Sequence, residues 1–268
     1  MRPPKAIVSV PLERKDGLAL EELSDNIDAV NALNASLIKK EKGLYDESEF
    51  DKEKDKSRFR QYELACEKVK QFYLEQHEKQ TVAYNIKARN DFRAKTRAHM
   101  GIWDAIEKLN TLIDDSDPDT SLTQIEHLLQ AAEAIRRDGK PRWMQLTGLI
   151  HDLGKLLYFF DAQGQWDVVG DTFPVGCAFD DRIIYTSESF KKNPDYGHEI
   201  YGTKYGIYSP GAYMELMDEH DKDMLEAVRA FNPYDLYSKN DDIPNAEELK
   251  PYYLELIDEF FPQKIIRW

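Results

Sequence analysis

The chain has 268 residues, of which 41% are hydrophobic and 12% aromatic, which suffices for one sizeable core and is short for two full domains. Its formal net charge of -14 disfavours an interface for nucleic acid or an anionic membrane and favours a small ligand. Two cysteines cannot form a disulfide framework, and neither a signal peptide nor a run of about 18 apolar residues is present. We therefore expect a soluble, cytoplasmic protein and take a monomer as the default.

The first 56 residues are expected to lie outside the main domain. Residues 1–12 contain three prolines, which favours a tail or a short edge strand. Residues 20–37 carry apolar side chains at helical spacing, which predicts an amphipathic docking helix. Residues 39–58 mix charges of both signs, which is typical of a solvated linker. The chain is therefore divided into an N-terminal extension (1–56) and one domain (57–268).

Residues 59–113 are predicted to be helical almost throughout, with two apolar stripes that face a core. The first stripe contains Phe59, Tyr62, Cys66, Val69, Phe72 and Tyr73, and the second contains Ile102, Ile106, Leu109, Leu112 and Ile113. His77 and His99 have polar or basic neighbours, so both are predicted to lie at the surface.

A second helix is predicted to begin after the acidic turn DDSDPDTS at 114–121. Ser121 and Gln124 have the spacing of a capping box, and QIEHLLQAAEAIRR continues to a stop near Gly139. His127 lies beside the apolar stripe of this helix. Taken alone, such a histidine is more often a satisfied core residue than a metal ligand.

Residues 146–160, LTGLIHDLGKLLYFF, place three polar side chains within an otherwise apolar helix. Because a buried charge needs a partner or a metal, His151, Asp152 and Lys155 indicate a site. Lys155 follows His151 by four residues and Asp152 by three, so its ammonium reaches the same neighbourhood. Imidazole and carboxylate together suit iron, zinc or manganese.

The same helix contains Gly148 and Gly154. Glycine within a helix costs about 1 kcal/mol relative to alanine, so both positions are expected to allow close approach of a neighbouring helix or a ligand. The rest of the chain carries fewer candidate site residues and consists of a turn-rich segment followed by helices. The predicted elements are short strands at 168–169 and 183–185, a helix over 221–231 with Asp221 at its start, and a closing helix over 252–260. The expected fold class is a mainly α-helical bundle with a few short strands.

The order His127, His151-Asp152 and a later aspartate is similar to the metal-ligand order of the HD-domain superfamily. Longer stretches are more specific and together resemble the myo-inositol oxygenase family. They are DDSDPD at 114–119, LIHDLGK at 149–155, QWDVVGDTFPVGC at 165–177, FNPYDLYSK at 231–239 and LKPYYLELID at 249–258. The resemblance extends, with one break, from about Ser57 to the C-terminus.

This resemblance implies an all-helical HD-type fold with a non-haem di-iron site that uses dioxygen to convert myo-inositol to D-glucuronate. It implies that His127, His151, Asp152 and Asp221 hold one iron, and that Asp152 bridges to a second. It implies catalytic roles for Lys155 and Asp152. The implied substrate-binding residues are Arg60, Asp114, Asp115, Ser116, Lys155, Gly170 and Asp171.

The sequence departs from the family between Pro210 and Gly211. The family has several dozen further residues there, and the resemblance implies that two histidines within them hold the second iron. His198 and His220 do not fall in that register, so we read both as non-ligands. Three explanations are open: a faulty gene model, a variant without activity, or a reduced protein with one metal. In each case the missing segment should leave apolar surface exposed on the remaining helices.

Two other functions are compatible with the residues. A mononuclear HD-type phosphohydrolase needs only one metal site, with Lys155 facing a phosphate, but it leaves the DDSDPD and GDTFPVG segments without a role. A non-catalytic scaffold is compatible with the missing ligands and the charged N-terminal extension. Inositol oxygenase is the first hypothesis because it accounts for all the motifs together.

Overall fold

The computed structural model describes residues 50, 53–55, 62, 65–117, 122–171, 173–198, 219–238 and 242–268. Across these ranges the chain forms a helical bundle with one small antiparallel sheet, which confirms the predicted mainly α-helical class. The predicted docking helix at 20–37, Phe59 and Arg60 lie outside the described residues. No helix within the described ranges has the length and apolar character needed to cross a membrane.

The described α-helices are α1 (Glu67–Lys79), α2 (Val82–Ala94), α3 (Ile102–Leu109), α4 (Gln124–Arg137), α5 (Arg142–Ile150), α6 (Glu219–Tyr237) and α7 (Ala246–Phe260). Short 3₁₀ helices occupy Leu153–Phe159, Gln165–Asp167 and Ser187–Phe190. Strands β1 (His99–Met100) and β2 (Ile266–Arg267) pair antiparallel, with His99 opposite Arg267. The strands predicted at 168–169 and 183–185 are wrong, since both segments form turns.

The main core lies where α1, α3, α4, α5 and α7 meet. Its fully buried members include Tyr73, Ile106, Leu109, Leu128, Leu149, Tyr253 and Leu256. The periodicity of residues 59–113 predicted most of its share of this core, but Cys66 is exposed and Ile113 is 75% exposed. Helix α3 ends at Leu109, so Ile113 no longer follows its helical face.

His77 is buried, and its predicted surface location is therefore wrong. Its ring stacks on Phe190 with 4.0 Å between ring centroids, and its Nδ1 lies 2.7 Å from Ser189 Oγ. Both partners come from a 3₁₀ helix more than 100 residues later in the chain. His99 is exposed, as predicted.

Helix α4 has the predicted limits, Gln124–Arg137. Its capping box is formed by Thr123 and Glu126, so the predicted cap is misplaced by two residues; Ser121 itself lies outside the described residues. The Thr123 Oγ1 accepts from the Glu126 backbone N–H, and the Glu126 carboxylate accepts from the Thr123 backbone N–H at 2.7 Å. The reciprocal pair satisfies donors that the first helical turn leaves open.

Helices α4 and α5 approach closely at Gly148. A Cβ atom at Gly148 would lie 2.8 Å from Ile135 Cδ1 and 2.9 Å from Ala132 Cα. The expectation for Gly148 is therefore confirmed. At Gly154 an added Cβ would meet nothing within 4 Å in the described part of the chain, so no neighbouring helix approaches there, and close approach of a ligand stays a prediction.

The single helix predicted over 146–160 is in fact two elements. Helix α5 ends at Ile150, with His151 as its C-cap, and a 3₁₀ helix starts at Leu153. The His151 Nδ1 donates to the Gly148 carbonyl at 2.8 Å, and the Lys155 N–H donates to the Asp152 carbonyl at 2.9 Å. The His-Asp pair therefore lies at a helix end, where the change of helix type turns its side chains out of the regular α-helical spacing.

Candidate metal and substrate site

Side chains from three helical segments meet at one point. His127 comes from α4, His151 from the end of α5, and Asp235 from the last turn of α6. One potential ligand atom from each lies within 4.8 Å of the other two. The His127 Nε2 is 3.1 Å from Asp235 Oδ1 and 3.3 Å from His151 Nε2, and His151 Nε2 is 3.3 Å from the same carboxylate oxygen. Because His151 uses Nδ1 on its own helix, its Nε2 faces this centre.

Asp152 lies at the same centre and connects it to Lys155. Its Oδ2 is 3.7 Å from His127 Nε2, 3.6 Å from His151 Nε2 and 2.9 Å from Lys155 Nζ. Lys155 also donates to Asp114 Oδ2 at 2.9 Å and to Gln124 Oε1 at 3.3 Å. The ammonium thus lies between a carboxylate at the histidine cluster and one in the 114–116 turn.

The charges of this site stabilise each other despite burial. Burial opposes the ionised form of Asp235, but hydrogen bonds from His127 and His151 outweigh it and hold the pKa of Asp235 well below its usual value. Burial also opposes the charged forms of Asp152 and Lys155, yet their mutual attraction lowers the pKa of Asp152 and raises that of Lys155. At neutral pH both carboxylates are anionic, so the centre attracts a cation.

His151 shows what a cation would displace. Burial by itself lowers the pKa of His151, but the hydrogen bond to Asp235 and the charge of Asp152 raise it above the usual value. Protonation of His151 therefore competes with metal binding at the same position. Metal binding must release that proton, because only neutral imidazole ligates.

Asp235 was not selected from the sequence as a ligand, although it lies within the FNPYDLYSK stretch that supported the family resemblance. The predicted ligand, Asp221, is the third residue of α6, and its side chain is outside what the structure describes. Fourteen residues separate the two aspartates, which corresponds to about 21 Å along an α-helix. The assignment of Asp221 remains a prediction.

The 114–116 turn is part of the site. Asp114 Oδ1 accepts from the Ser116 backbone N–H at 2.9 Å and from its Oγ at 2.5 Å, while Asp114 Oδ2 faces Lys155. Ser116 is buried. Asp115 points elsewhere and pairs with Lys68, and its backbone N–H donates to Gln165 Oε1 at 2.9 Å.

Gly170 and Asp171 pack against α1. Gly170 has a φ of +91°, and a Cβ atom there would lie 2.7 Å from Phe72 Cε1 and 2.8 Å from Gln76 Nε2. The Asp171 carboxylate accepts from Tyr62 Oη at 3.3 Å, and its backbone N–H donates to Tyr73 Oη at 3.2 Å. The glycine is thus needed for the turn itself. The substrate-binding roles of Asp115, Ser116, Gly170, Asp171 and Arg60 stay predictions.

The fold and this site define a class: a helical protein in which two imidazoles and carboxylates from separate helices are arranged for a divalent metal. The donor set of two nitrogens and carboxylate oxygens suits a transition metal, and its negative charge is what such an ion would neutralise. The arrangement therefore fits a resident metal ion, for which His127, His151, Asp152 and Asp235 are the available ligands.

The chain belongs to the myo-inositol oxygenase family, whose model matches residues 66–212 and 209–268. It is 41% identical to a probable inositol oxygenase of Oryza sativa subsp. japonica over 263 aligned positions, covering 78% of this chain and 85% of the relative. It is 36% identical to the inositol oxygenase of Dictyostelium discoideum, covering 89% of this chain and 99% of that protein. An inositol oxygenase of Danio rerio is 33% identical, with 81% and 95% covered.

Proposed function

We propose that this protein is built as an inositol oxygenase, the enzyme that uses dioxygen to cleave the ring of myo-inositol and yield D-glucuronate, and that this sequence, which lacks one segment of the family, turns over little substrate. The observation that carries the proposal is the convergence of His127, His151 and Asp235, with Asp152 connecting them to Lys155 and Asp114. Family membership supplies the reaction class. The cytoplasm as the location and a monomeric state remain predictions.

His127, His151, Asp152 and Asp235 are proposed to hold iron. Asp235 takes the place in this set that the sequence assigned to Asp221, because a helix cannot bring both carboxylates to one centre. A bound iron supplies the chemistry of dioxygen activation and of oxidation at a C–H bond. The protein residues supply the ligand geometry, the negative charge and the proton equilibrium at His151.

Lys155 is proposed to orient the substrate. Its ammonium has three donors, which face Asp114 and Asp152 at 2.9 Å and Gln124 Oε1 at 3.3 Å, and 16% of its side chain is exposed. A substrate hydroxyl would take the place of the longest of these contacts, the one to Gln124, while both carboxylates keep the ammonium charged. The Asp114 and Ser116 pair offers an acceptor and a hydroxyl on the opposite side of Lys155, which suits a polyol whose hydroxyls need both donors and acceptors.

We further propose that this sequence holds one iron where the family resemblance implies two. Within the described residues there is one group of three or more potential metal ligands. The rice alignment extends over 263 positions but uses 78% of 268 residues, about 209, so about 54 positions of the relative have no counterpart here. The two family matches meet at residues 209–212, where the missing segment is expected.

The surface of α6 supports the same proposal. Met224 and Val228 are four residues apart on one helical face, and they are 45% and 46% exposed. Phe231, the next residue on this face, has its ring centroid 5.4 Å from that of His151. An apolar stripe that leads to the metal ligands is the surface that removal of a packed segment would leave.

A graft tests the proposal. The unmodified chain and a form carrying the rice segment between Pro210 and Gly211 are loaded with ferrous iron under identical conditions. Iron content and glucuronate formation from myo-inositol under oxygen are then measured. For the unmodified chain we expect about one bound iron and little glucuronate. For the graft we expect about two bound irons and clear glucuronate formation.

The alternative is a mononuclear HD-type phosphohydrolase. The same four ligands and Lys155 would serve it, and it gains support from the single ligand group. The phosphohydrolase hypothesis predicts that the unmodified chain with one metal releases inorganic phosphate from phosphomonoesters, and that the graft adds no oxygenase activity. Those two results together would replace the oxygenase proposal.

A further inference from the structure

A cavity of about 340 Å³ lies away from the metal ligands, between the end of α4 and the end of α6. This volume is at the lower end of the range of small-molecule sites, about 300–1,000 Å³. Its walls include Phe50, Gln130, Ala134, Asp138, Ser238 and Asp242. Gln130 follows His127 by three residues and Ser238 follows Asp235 by three, so the cavity lies one helical turn beyond the metal site on both helices.

Beside the cavity, Ser238 places a buried hydroxyl without a hydrogen-bond partner in the described part of the chain. Only 2% of the residue is exposed, and its Oγ is buried with no hydrogen-bond partner among the described residues. An unpaired buried hydroxyl destabilises a fold, and it is tolerated where a ligand or water completes it. The cavity beside it is the space from which such a group can bind.

The other walls favour a neutral polyhydroxylated ring. Asp138 accepts from Tyr234 Oη and lies 3.7 Å from Lys140 Nζ, and Asp242 lies 3.4 Å from Arg137. Both carboxylates have lone pairs left for ligand hydroxyls, and the Gln130 amide, which donates to the Asp242 carbonyl at 3.3 Å, adds a further polar group. Ala134 and the edge of the Phe50 ring, whose faces contact Tyr234 and the Lys54 ammonium, provide apolar surface for the C–H groups of a ring. Each carboxylate of the lining is thus paired with a cation, so the lining carries no unpaired charge and favours a neutral ligand over an anion, whose burial would need a free cation.

We propose that this cavity is a second binding site for a neutral cyclic polyol, separate from the metal centre. The site is formed by residues of the folded chain and needs no metal. Its existence therefore does not depend on the oxygenase activity, and the two proposals can fail independently.

Equilibrium dialysis of the metal-free chain against radiolabelled myo-inositol tests the site. We expect saturable binding of about one molecule per chain, and about tenfold weaker binding of D-glucuronate, because the lining has no unpaired cation to neutralise its buried carboxylate. Ala134→Leu fills the cavity and should abolish binding. Lys155→Ala, which alters the substrate position proposed at the metal centre, should leave binding by the metal-free chain unchanged.

Ser238→Ala provides a second arm that does not depend on filling the cavity. Removing an unpaired hydroxyl should leave the thermal midpoint of the ligand-free chain unchanged or higher, and should weaken myo-inositol binding about tenfold. The proposal is overturned by a metal-free chain that shows no saturable binding. It is equally overturned by binding that survives both cavity variants or that Lys155→Ala removes.

Discussion

The contact between α4 and α5 at Gly148 makes a substitution there informative. These two helices carry His127 and end at His151, so their separation sets the spacing of two metal ligands. In Gly148→Ala the new methyl group would lie 2.8 Å from Ile135 Cδ1, 2.9 Å from Ala132 Cα and 3.0 Å from Ala132 N. The Ile135 side chain can rotate away, but the Ala132 backbone can move only if α4 moves.

The expected free energy follows from two opposing effects. Overpacking a tight contact costs about 1–3 kcal/mol, and two backbone atoms among the three contacts place this case toward the upper end. Alanine in place of glycine in a helix recovers about 1 kcal/mol. We therefore expect a net loss of about 1–2 kcal/mol in the free energy of unfolding. For a domain of this size that lowers the thermal midpoint by about 2–8 °C.

Gly154→Ala is the matched control. It adds the same methyl group three residues after His151, in open space and without a positive φ. It should stabilise the chain by about 0.4–1 kcal/mol. Calorimetry of both variants without metal, and iron titration of both, measure the comparison.

Iron affinity should fall about tenfold or more for Gly148→Ala, because displacement of the helices disturbs ligand orientation. It should stay unchanged for Gly154→Ala. A Gly148→Ala variant whose thermal midpoint is equal to or higher than that of the unmodified chain, and whose iron affinity is unchanged, would refute the reasoning that this contact sets the ligand spacing.

Three further predictions concern single side chains. Asp235→Asn should lower iron affinity at least a hundredfold, which exceeds the 10–100-fold effect typical of residues that only support a ligand. Asp221→Asn should leave iron affinity unchanged. Equal effects of the two variants in iron titrations would contradict the choice of Asp235 as the ligand. Burial lowers the pKa of His77 to about 4, so between pH 6.5 and pH 4 the unfolded chain binds a proton at His77 that the folded chain does not bind. The contribution of neutral His77 to the free energy of unfolding is complete above pH 6.5 and is lost toward pH 4, by up to about 3 kcal/mol. The free energy of urea unfolding should therefore depend less steeply on pH in His77→Phe than in the unmodified chain. Parallel pH profiles would exclude His77 as the source of the pH dependence. Tyr253→Phe removes the 2.7 Å hydrogen bond to the buried carboxylate of Glu133 and should cost about 1–3 kcal/mol by thermal unfolding, and an unchanged midpoint would show that Glu133 finds another donor.

The sequence alone determined the helical class, the limits of α4 and most of the core, because hydrophobic periodicity is a local property that each helix carries with it. It also brought His127, His151, Asp152 and Lys155 together, through the resemblance of their order and surroundings to one family. These features depend on residues close in the chain or on long motifs that a single sequence displays.

Tertiary structure decided which distant groups meet. Along α6 the sequence offers Asp221 and Asp235, and their chemistry is the same; only the packing of α6 against α4 and α5 shows that the turn carrying Asp235 faces the histidines. Likewise His77 has polar neighbours in sequence, and its burial depends on Phe190, which arrives from a remote segment. Periodicity describes one helix at a time, whereas ligand sets and buried polar groups are properties of the contacts between helices.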